Sequence, residues 1–164
     1  IGEVDGMGVE LDLRAAINDN WEVFMGAAWS ETDISGIPLD VCAEPSGSDC
    51  GGNRLAFNPE FTFSGGINAL YPLDGGEVFA GLDFIWQDEF YSSLENTGLD
   101  AVDSVGFVNI RAGWSALQNW NVTLYVENVL DEESFAGRSA GEGINVNVAP
   151  SNPRTAGVDV SYHF

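Results

Sequence analysis

The residues able to do chemistry are few, and their spacing does not suit catalysis. The chain holds one histidine, two cysteines and five arginines, has no lysine, and carries 26 aspartates and glutamates, for a net charge of −21. A Ser-His-Asp arrangement needs an imidazole oriented by a buried partner. His163 is the one histidine and the penultimate residue, a poor place for such a partner. The glycine tracts form neither a P-loop nor a dinucleotide-binding pattern, and Gly75-Gly76 reads as a turn. Neither an enzyme nor a cofactor is expected.

The cysteines carry a different chemistry. Cys42 and Cys50 bound the segment CAEPSGSDC, in a stretch rich in Gly, Ser and Pro. Two cysteines this close in an irregular segment point to a disulfide and to an oxidising compartment. A metal site is the weaker reading, because no histidine or third cysteine lies near. The acids concentrate, about half of them, in segments 31–56, 88–103 and 131–150. Such a rim attracts cations and repels anions, and salt weakens both effects; the plainer reading is solubility in a salty habitat. Asp88, Glu89, Asp131, Glu132 and Glu133 are the candidate Ca²⁺ ligands, although no spaced Ca²⁺ loop is present. Nucleic acid is excluded as a partner, since phosphate binding needs clustered cations. Disorder, the other reading of so much charge, conflicts with 45% hydrophobic and 12% aromatic content.

The elements that must position these groups are written as alternation. Seven segments, at about 4–17, 21–33, 57–71, 77–91, 104–116, 120–130 and 154–164, switch between apolar and polar residues with period two. In the first, Met7, Val9, Leu11, Leu13, Ala15 and Ile17 alternate with Gly8, Glu10, Asp12, Arg14 and Ala16. In the last, Val158, Val160, Tyr162 and Phe164 alternate with Gly157, Asp159, Ser161 and His163. The connections run short, long, short, long, short, long. No run of 18 apolar residues exists to make a transmembrane helix. Long alternating strands with turns of alternating length are the pattern of an outer-membrane, antiparallel, up-and-down β-barrel. Trp21, Tyr71, Trp114 and Trp120 fall beside short turns, with Trp29, Trp86, Phe90 and Tyr91 at the long-loop ends, as two interfacial aromatic belts would require. Glu10, Asp12, Arg14, Asp83, Arg111, Glu127 and Asp159 fall on the lumen-facing side. For each of them the plain alternative is ordinary water-filled wall.

A soluble, acidic, cation-binding β-sandwich also alternates, but its strands are usually about five or six residues long. Seven strands are awkward for a closed barrel, since open edges in lipid leave unpaired backbone groups. Either an eighth strand completes a small porin-like or structural barrel, or the segment belongs to a larger one. The start at Ile1, without an initiator methionine, favours the second expectation.

Four stretches carry a resemblance to the C-terminal part of the TonB-dependent outer-membrane receptor barrel. IGEVDGMGVELDL resembles a strand of that family with a Gly-x-Gly-x-Glu-like core. FNPEFTFSGGINALYPL resembles its Pro-led, aromatic-rich strand. LYVENVLDEESF resembles the Asn-Leu-Phe-Asp-x-x-Tyr hallmark, with Val129 and Leu130 in the Leu-Phe places and Phe135 near the Tyr place. NPRTAGVDVSYHF resembles the closing Pro-Arg-x-x-Gly strand with its terminal Phe. The resemblance implies a 22-stranded barrel with a plugged lumen, of which residues 1–164 are the last seven strands. It implies uptake of a scarce, bulky nutrient such as a ferric siderophore, cobalamin or an oligosaccharide in a Gram-negative outer membrane. The TonB system would act through a plug and N-terminal strands outside this segment. Tyr162 and Phe164 would be the signal read by the barrel-assembly machinery.

Overall fold

The computed structural model describes residues 2–36, 50–116, 119–140 and 146–163. Eleven strands follow in chain order: β1 (Glu3–Asn18), β2 (Trp21–Ser35), β3 (Phe61–Leu73), β4 (Gly76–Gln87), β5 (Phe90–Tyr91), β6 (Ala101–Val102), β7 (Val105–Ala116), β8 (Trp120–Glu127), β9 (Phe135–Ala140), β10 (Val146–Pro150) and β11 (Thr155–Tyr162). Seven of them make one antiparallel sheet in the order β1-β2-β3-β4-β7-β8-β11. The other four form two hairpins, β5–β6 and β9–β10, within the long connections.

Directly opposed residues in an antiparallel pair share a face, so the register fixes two continuous surfaces. One row crosses all seven strands as Ala15, Val23, Ile67, Leu82, Ile110, Val126 and Ala156. The neighbouring row, on the opposite face, runs Ala16, Glu22, Asn68, Gly81, Arg111, Tyr125 and Gly157. The period-two reading of every segment is therefore borne out.

The apolar face is uncovered. Leu11 is 60% exposed, Leu124 57% and Val158 62%. The buried hydrophobic residues among those described are Ile34, Cys50, Ala69, Phe90, Val102 and Val105. All but Ala69 lie at the long-connection end of the sheet, so the core sits in the loop layer. A sandwich would bury its apolar face against a second sheet; among the described residues no sheet covers that face, and the soluble-sandwich expectation is not favoured.

Several expected boundaries move for local reasons. The third strand begins at Phe61 rather than near 57, because Phe57 has φ 58° and Pro59 cannot donate to a ladder. The fourth ends at Gln87, and Phe90-Tyr91 turns away to pair with Ala101-Val102. The sixth ends at Glu127, where Asn128 takes φ 50°. The long connection between the sixth and seventh segments contains β9 and β10, paired through Asn147 and Ser139.

The short turns follow from their residues. Asn18 Oδ1 accepts the backbone N–H groups of Asn20 (2.9 Å) and Trp21 (3.1 Å), an Asx turn. Gly75, at φ 100°, makes the β3–β4 turn that other L-residues resist.

Three aromatic side chains on the polar face lie over glycines directly across the ladder: Phe24 over Gly66, Phe79 over Gly113 and Tyr125 over Gly157. A Cβ on Gly66 would sit 2.6 Å from Phe24 Cζ. These glycines make room for a ring where a side chain would collide. Gly113→Val, which meets both Phe79 and the Val122 carbonyl, is expected to cost about 2 kcal/mol through overpacking. Urea unfolding checks this, with Ala112→Val on the opposite face as the near-neutral control.

Candidate functional site

Two groups of residues stand out: a polar network on the sheet and a loop layer at one end of it. All seven charged residues expected on one face share it. Arg111 is the centre of the network. Its Nη1 donates to Asp83 Oδ1 at 2.6 Å and its Nη2 to Asn68 Oδ1 at 2.9 Å. The guanidinium crosses β4 over Gly81, where a Cβ would stand 2.8 Å from Asn68 Oδ1 and 3.1 Å from Arg111 Cζ. Asn109 Nδ2 donates to the second oxygen of Asp83 at 3.1 Å. Arg14 and Glu22 approach only to 3.6 Å, with side chains 71% and 40% exposed, a pair worth at most about 1 kcal/mol. The register places Glu10 and Asp12 on β1, Glu127 on β8 and Asp159 on β11 of this face, separate from the Arg111 cluster.

The belt residues lie on the apolar face in two groups. Trp21 Nε1 donates to the Tyr71 hydroxyl at 2.7 Å, their rings edge-on at 6.2 Å. The rings of Trp120 and Tyr162 meet at 4.9 Å, tilted by 49°, and Trp114 lies opposite Val78 and Val122 near the same end. At the other end Trp29 opposes Phe61, and Trp86 is 5.5 Å from Phe63. Phe90 and Tyr91 do not join them. Phe90 is buried in the loop layer, 5.9 Å from Phe57, and Tyr91 lies beneath Arg54 at 5.0 Å. Phe164 and Cys42 lie outside the described residues. Cys50 is buried and is not a free thiol.

The loop layer is joined by asparagines and arginines. Asn128, 4% exposed, has an N–H that donates to Asn109 Oδ1 (2.9 Å). Its Nδ2 donates to the carbonyls of Glu132 (2.9 Å) and Asn152 (3.2 Å), and its Oδ1 accepts from the Glu132 N–H (2.9 Å). Arg154 reaches Asp131 at 3.0 Å and the Val129 carbonyl at 3.5 Å. The Asn-x-x-Asp and Pro-Arg signatures are thus one structural unit, each holding the other.

The remaining connections lock in the same manner. The Arg54 N–H donates to Asn96 Oδ1 at 2.7 Å, and Asn96 Nδ2 returns to the Arg54 carbonyl at 3.0 Å. The Arg54 guanidinium pairs with Glu60 (3.4 Å) and Glu89 (3.2 Å). The Arg138 N–H donates to Ser92 Oγ, and its Nη1 to the Ala101 carbonyl, both at 2.9 Å.

Three of the five expected Ca²⁺ ligands are spent on such contacts. Glu89 and Asp131 pair with arginines, and Asp88 Oδ1 accepts the Glu89 N–H at 2.9 Å. Among the described residues no three acid, His or Cys side chains gather as a metal site requires. Asn128 was visible in its motif. Asn68, Asn109, Ser92 and Asn96 gave no signal, because their partners are 19 to 46 residues away.

Comparison with known proteins agrees with this geometry. The family model described as TonB dependent receptor-like, beta-barrel matches residues 1–129. Solved structures with the same fold include the ferric yersiniabactin uptake receptor FyuA from Yersinia pestis, at TM-score 0.81 and 19% identity, over 97% of this chain and 23% of that one. The siderophore receptor PiuA from Acinetobacter baumannii has TM-score 0.73 and 19% identity, over 98% and 22% of the two chains. The ferric preacinetobactin receptor BauA from the same organism has TM-score 0.72 and 16% identity, again over 98% and 22%. No curated protein matches the sequence significantly. The chain spans less than a quarter of the length of these structures. With its alternating strands, paired signature motifs and matching family model, the chain belongs to the TonB-dependent receptor-like β-barrel family.

Proposed function

We propose that this chain is wall and loop structure of a Gram-negative outer-membrane receptor for TonB-dependent uptake of a ferric siderophore. Its apolar face meets lipid, its polar face lines the lumen, and the loop layer faces outward. One observation carries the reading: an unbroken apolar row across seven strands with no second layer over it. Such a surface in water would drive association; in a bilayer it is the required exterior, bounded by the two aromatic groups. The siderophore receptors among the structural relatives favour iron over cobalamin or an oligosaccharide as cargo.

In this reading a plug and the other strands lie outside residues 1–164 and couple to the TonB system. Glu10, Asp12, Arg14, Asp83, Arg111, Glu127 and Asp159 line the lumen. Tyr162 and Phe164 present the terminal strand to the barrel-assembly machinery. The test is uptake of ⁵⁵Fe-siderophores by cells whose sole receptor is the whole protein. Accumulation that vanishes when TonB is deleted supports the reading; uptake indifferent to TonB contradicts it.

The Cys42–Cys50 disulfide also belongs to this proposal. A maleimide is expected to label neither cysteine in the native receptor and both after reduction and unfolding. Mass spectrometry showing label before reduction would argue against the bridge.

A further inference from the structure

Neighbouring strands of the seven-stranded sheet are joined in two ways. Short turns connect β1–β2, β3–β4 and β7–β8. The long connections join β2–β3, β4–β7 and β8–β11, running from Ser35 to Phe61, Gln87 to Val105 and Glu127 to Thr155. A short turn fixes which residues oppose each other, because its geometry sets the register of its strands. A long connection leaves the register free.

Alternation does not supply what is missing. A slip of one residue carries every apolar side chain to the wrong face, but a slip of two leaves each on its own face. At the three pairs joined by long connections, some other contact must distinguish registers two residues apart.

The rings that lie over glycines stand at those three pairs. Phe24 over Gly66 spans β2–β3, Phe79 over Gly113 spans β4–β7, and Tyr125 over Gly157 spans β8–β11. The geometry repeats: the ring Cε1 lies 2.9, 2.8 and 2.9 Å from the place of the missing Cβ. Each time the ring is on the earlier strand and the glycine on the later one. On the other face of β4–β7, Trp86 opposes Gly106, its Cδ1 3.2 Å from the same place. In the short-turn pairs the neighbours differ. Gly6, Gly8 and Gly26 meet Thr32, Ser30 and Asp12 across β1–β2, and Gly81 meets Asn68 across β3–β4. Gly65 opposes Phe84 across β3–β4, but Met25 and the Phe24 carbonyl are nearest to its missing Cβ.

A slip of two would set Phe24 against Ser64 or Asn68, Phe79 against Arg111 or Ser115, and Tyr125 against Thr155 or Asp159. All six carry a side chain where the ring must lie. Only the observed register offers each ring a glycine.

We propose that the three ring–glycine pairs set the register of the strand pairs that the long connections leave free. Turns and rings then alternate across the sheet as the devices that align it. This role is independent of what the receptor carries. Arg111 and Asp83 also tie β4 to β7, so the test is made at β8–β11.

Cysteine pairs report the register in the whole protein, with Cys42 and Cys50 replaced by serine. Directly opposed residues are close enough for a disulfide, whereas residues displaced by two are too far apart without backbone movement. Asn121 with Ser161 and Thr123 with Asp159 are the native pairs. Thr123 with Ser161 and Asn121 with Asp159 belong to the two slipped registers. Cysteines are introduced two at a time, and mass spectrometry gives the bonded fraction. With Tyr125 in place, only the native pairs should bond. Tyr125→Ser should raise bonding of a slipped pair severalfold. Across β7–β8, where Ser115 opposes Asn121 and a short turn sets the alignment, the same variant should leave the register unchanged. Tyr125→Gly with Gly157→Tyr exchanges the partners about the local twofold axis of an antiparallel pair, and should restore the native pattern.

Bonding of native pairs alone in Tyr125→Ser overturns the proposal, as does equal slippage across β7–β8 and β8–β11. If Tyr125→Ser gives no assembled protein, the exchange variant decides: assembly in the native register supports the ring–glycine lock, and failure to assemble overturns it.

Discussion

Asn128→Ala is expected to lower the stability of the protein by about 3 kcal/mol, from the lost hydrogen bonds and a strained backbone together. Asn128 combines two properties that alanine lacks. It tolerates φ 50°, a left-handed conformation that asparagine adopts more readily than most residues. Its buried amide also makes three hydrogen bonds, to Glu132 twice and to Asn152. Removing the amide leaves two carbonyls and one N–H without their partners in a site that is 4% exposed. The contact between the β8–β9 and β10–β11 connections then rests on Arg154, through Asp131 and the Val129 carbonyl, and on the hydrogen bonds between Ser134 and Ser151. Asn128→Asp retains the acceptor oxygen and tolerance of the backbone conformation but loses the two donors. It sets a carboxylate oxygen against the Glu132 and Asn152 carbonyls in a buried site and should be at least as destabilising as Asn128→Ala. Urea titration of the reconstituted protein, read by intrinsic tryptophan fluorescence, gives the order; an Asn128→Ala midpoint equal to wild type would show that the loop layer is not held at this residue.

Leu124→Arg is expected to cost about 3 kcal/mol and Thr123→Arg less than about 1 kcal/mol, because a cation at mid-depth on a lipid-facing strand is penalised and one on a lumenal face is not. The two residues are adjacent on β8, so helix or strand propensity, depth and distance from the termini are matched. They differ in face: Leu124 opposes Ala112 and Val158, while Thr123 opposes Gly113 and Asp159. Thr123→Arg also brings a cation to Asp159. Equal penalties for the two arginines would mean that both faces meet the same medium. The comparison is made by equilibrium unfolding in the same lipid.

The sheet was legible in the sequence because period-two alternation is a local property. Strand pairing in an up-and-down order adds only nearest-neighbour ladders, so the face of Leu11 or Arg111 followed from counting by twos. The loop layer was not legible. Its hairpins are short, and β5 and β9 sit in stretches whose Gly, Asp and Glu content reads as irregular. Phe90 illustrates the difficulty: an aromatic residue at a strand end looks like an interfacial anchor, but the chain turns at Asp88-Glu89 and Phe90 enters the loop core instead. The acidic residues allowed two readings, a cation site and plain solubility. The sequence did not show that Arg54 and Arg154 take up Glu60, Glu89 and Asp131 as structural partners. The polar-face cluster was half visible: Asp83 and Arg111 could be placed on one face, but their pairing, with Asn68 on the same guanidinium, depends on the β3–β4–β7 register and on Gly81 being small.

The most direct test of membrane embedding is a labelling scan along β8. Single cysteines at 121–126, in a whole receptor with Cys42 and Cys50 replaced by serine, would carry a small fluorophore in bilayers containing brominated lipid. Quenching should alternate, strong at Val122, Leu124 and Val126 and weak at Asn121, Thr123 and Tyr125. Uniformly weak quenching along the strand would contradict a lipid-facing apolar surface.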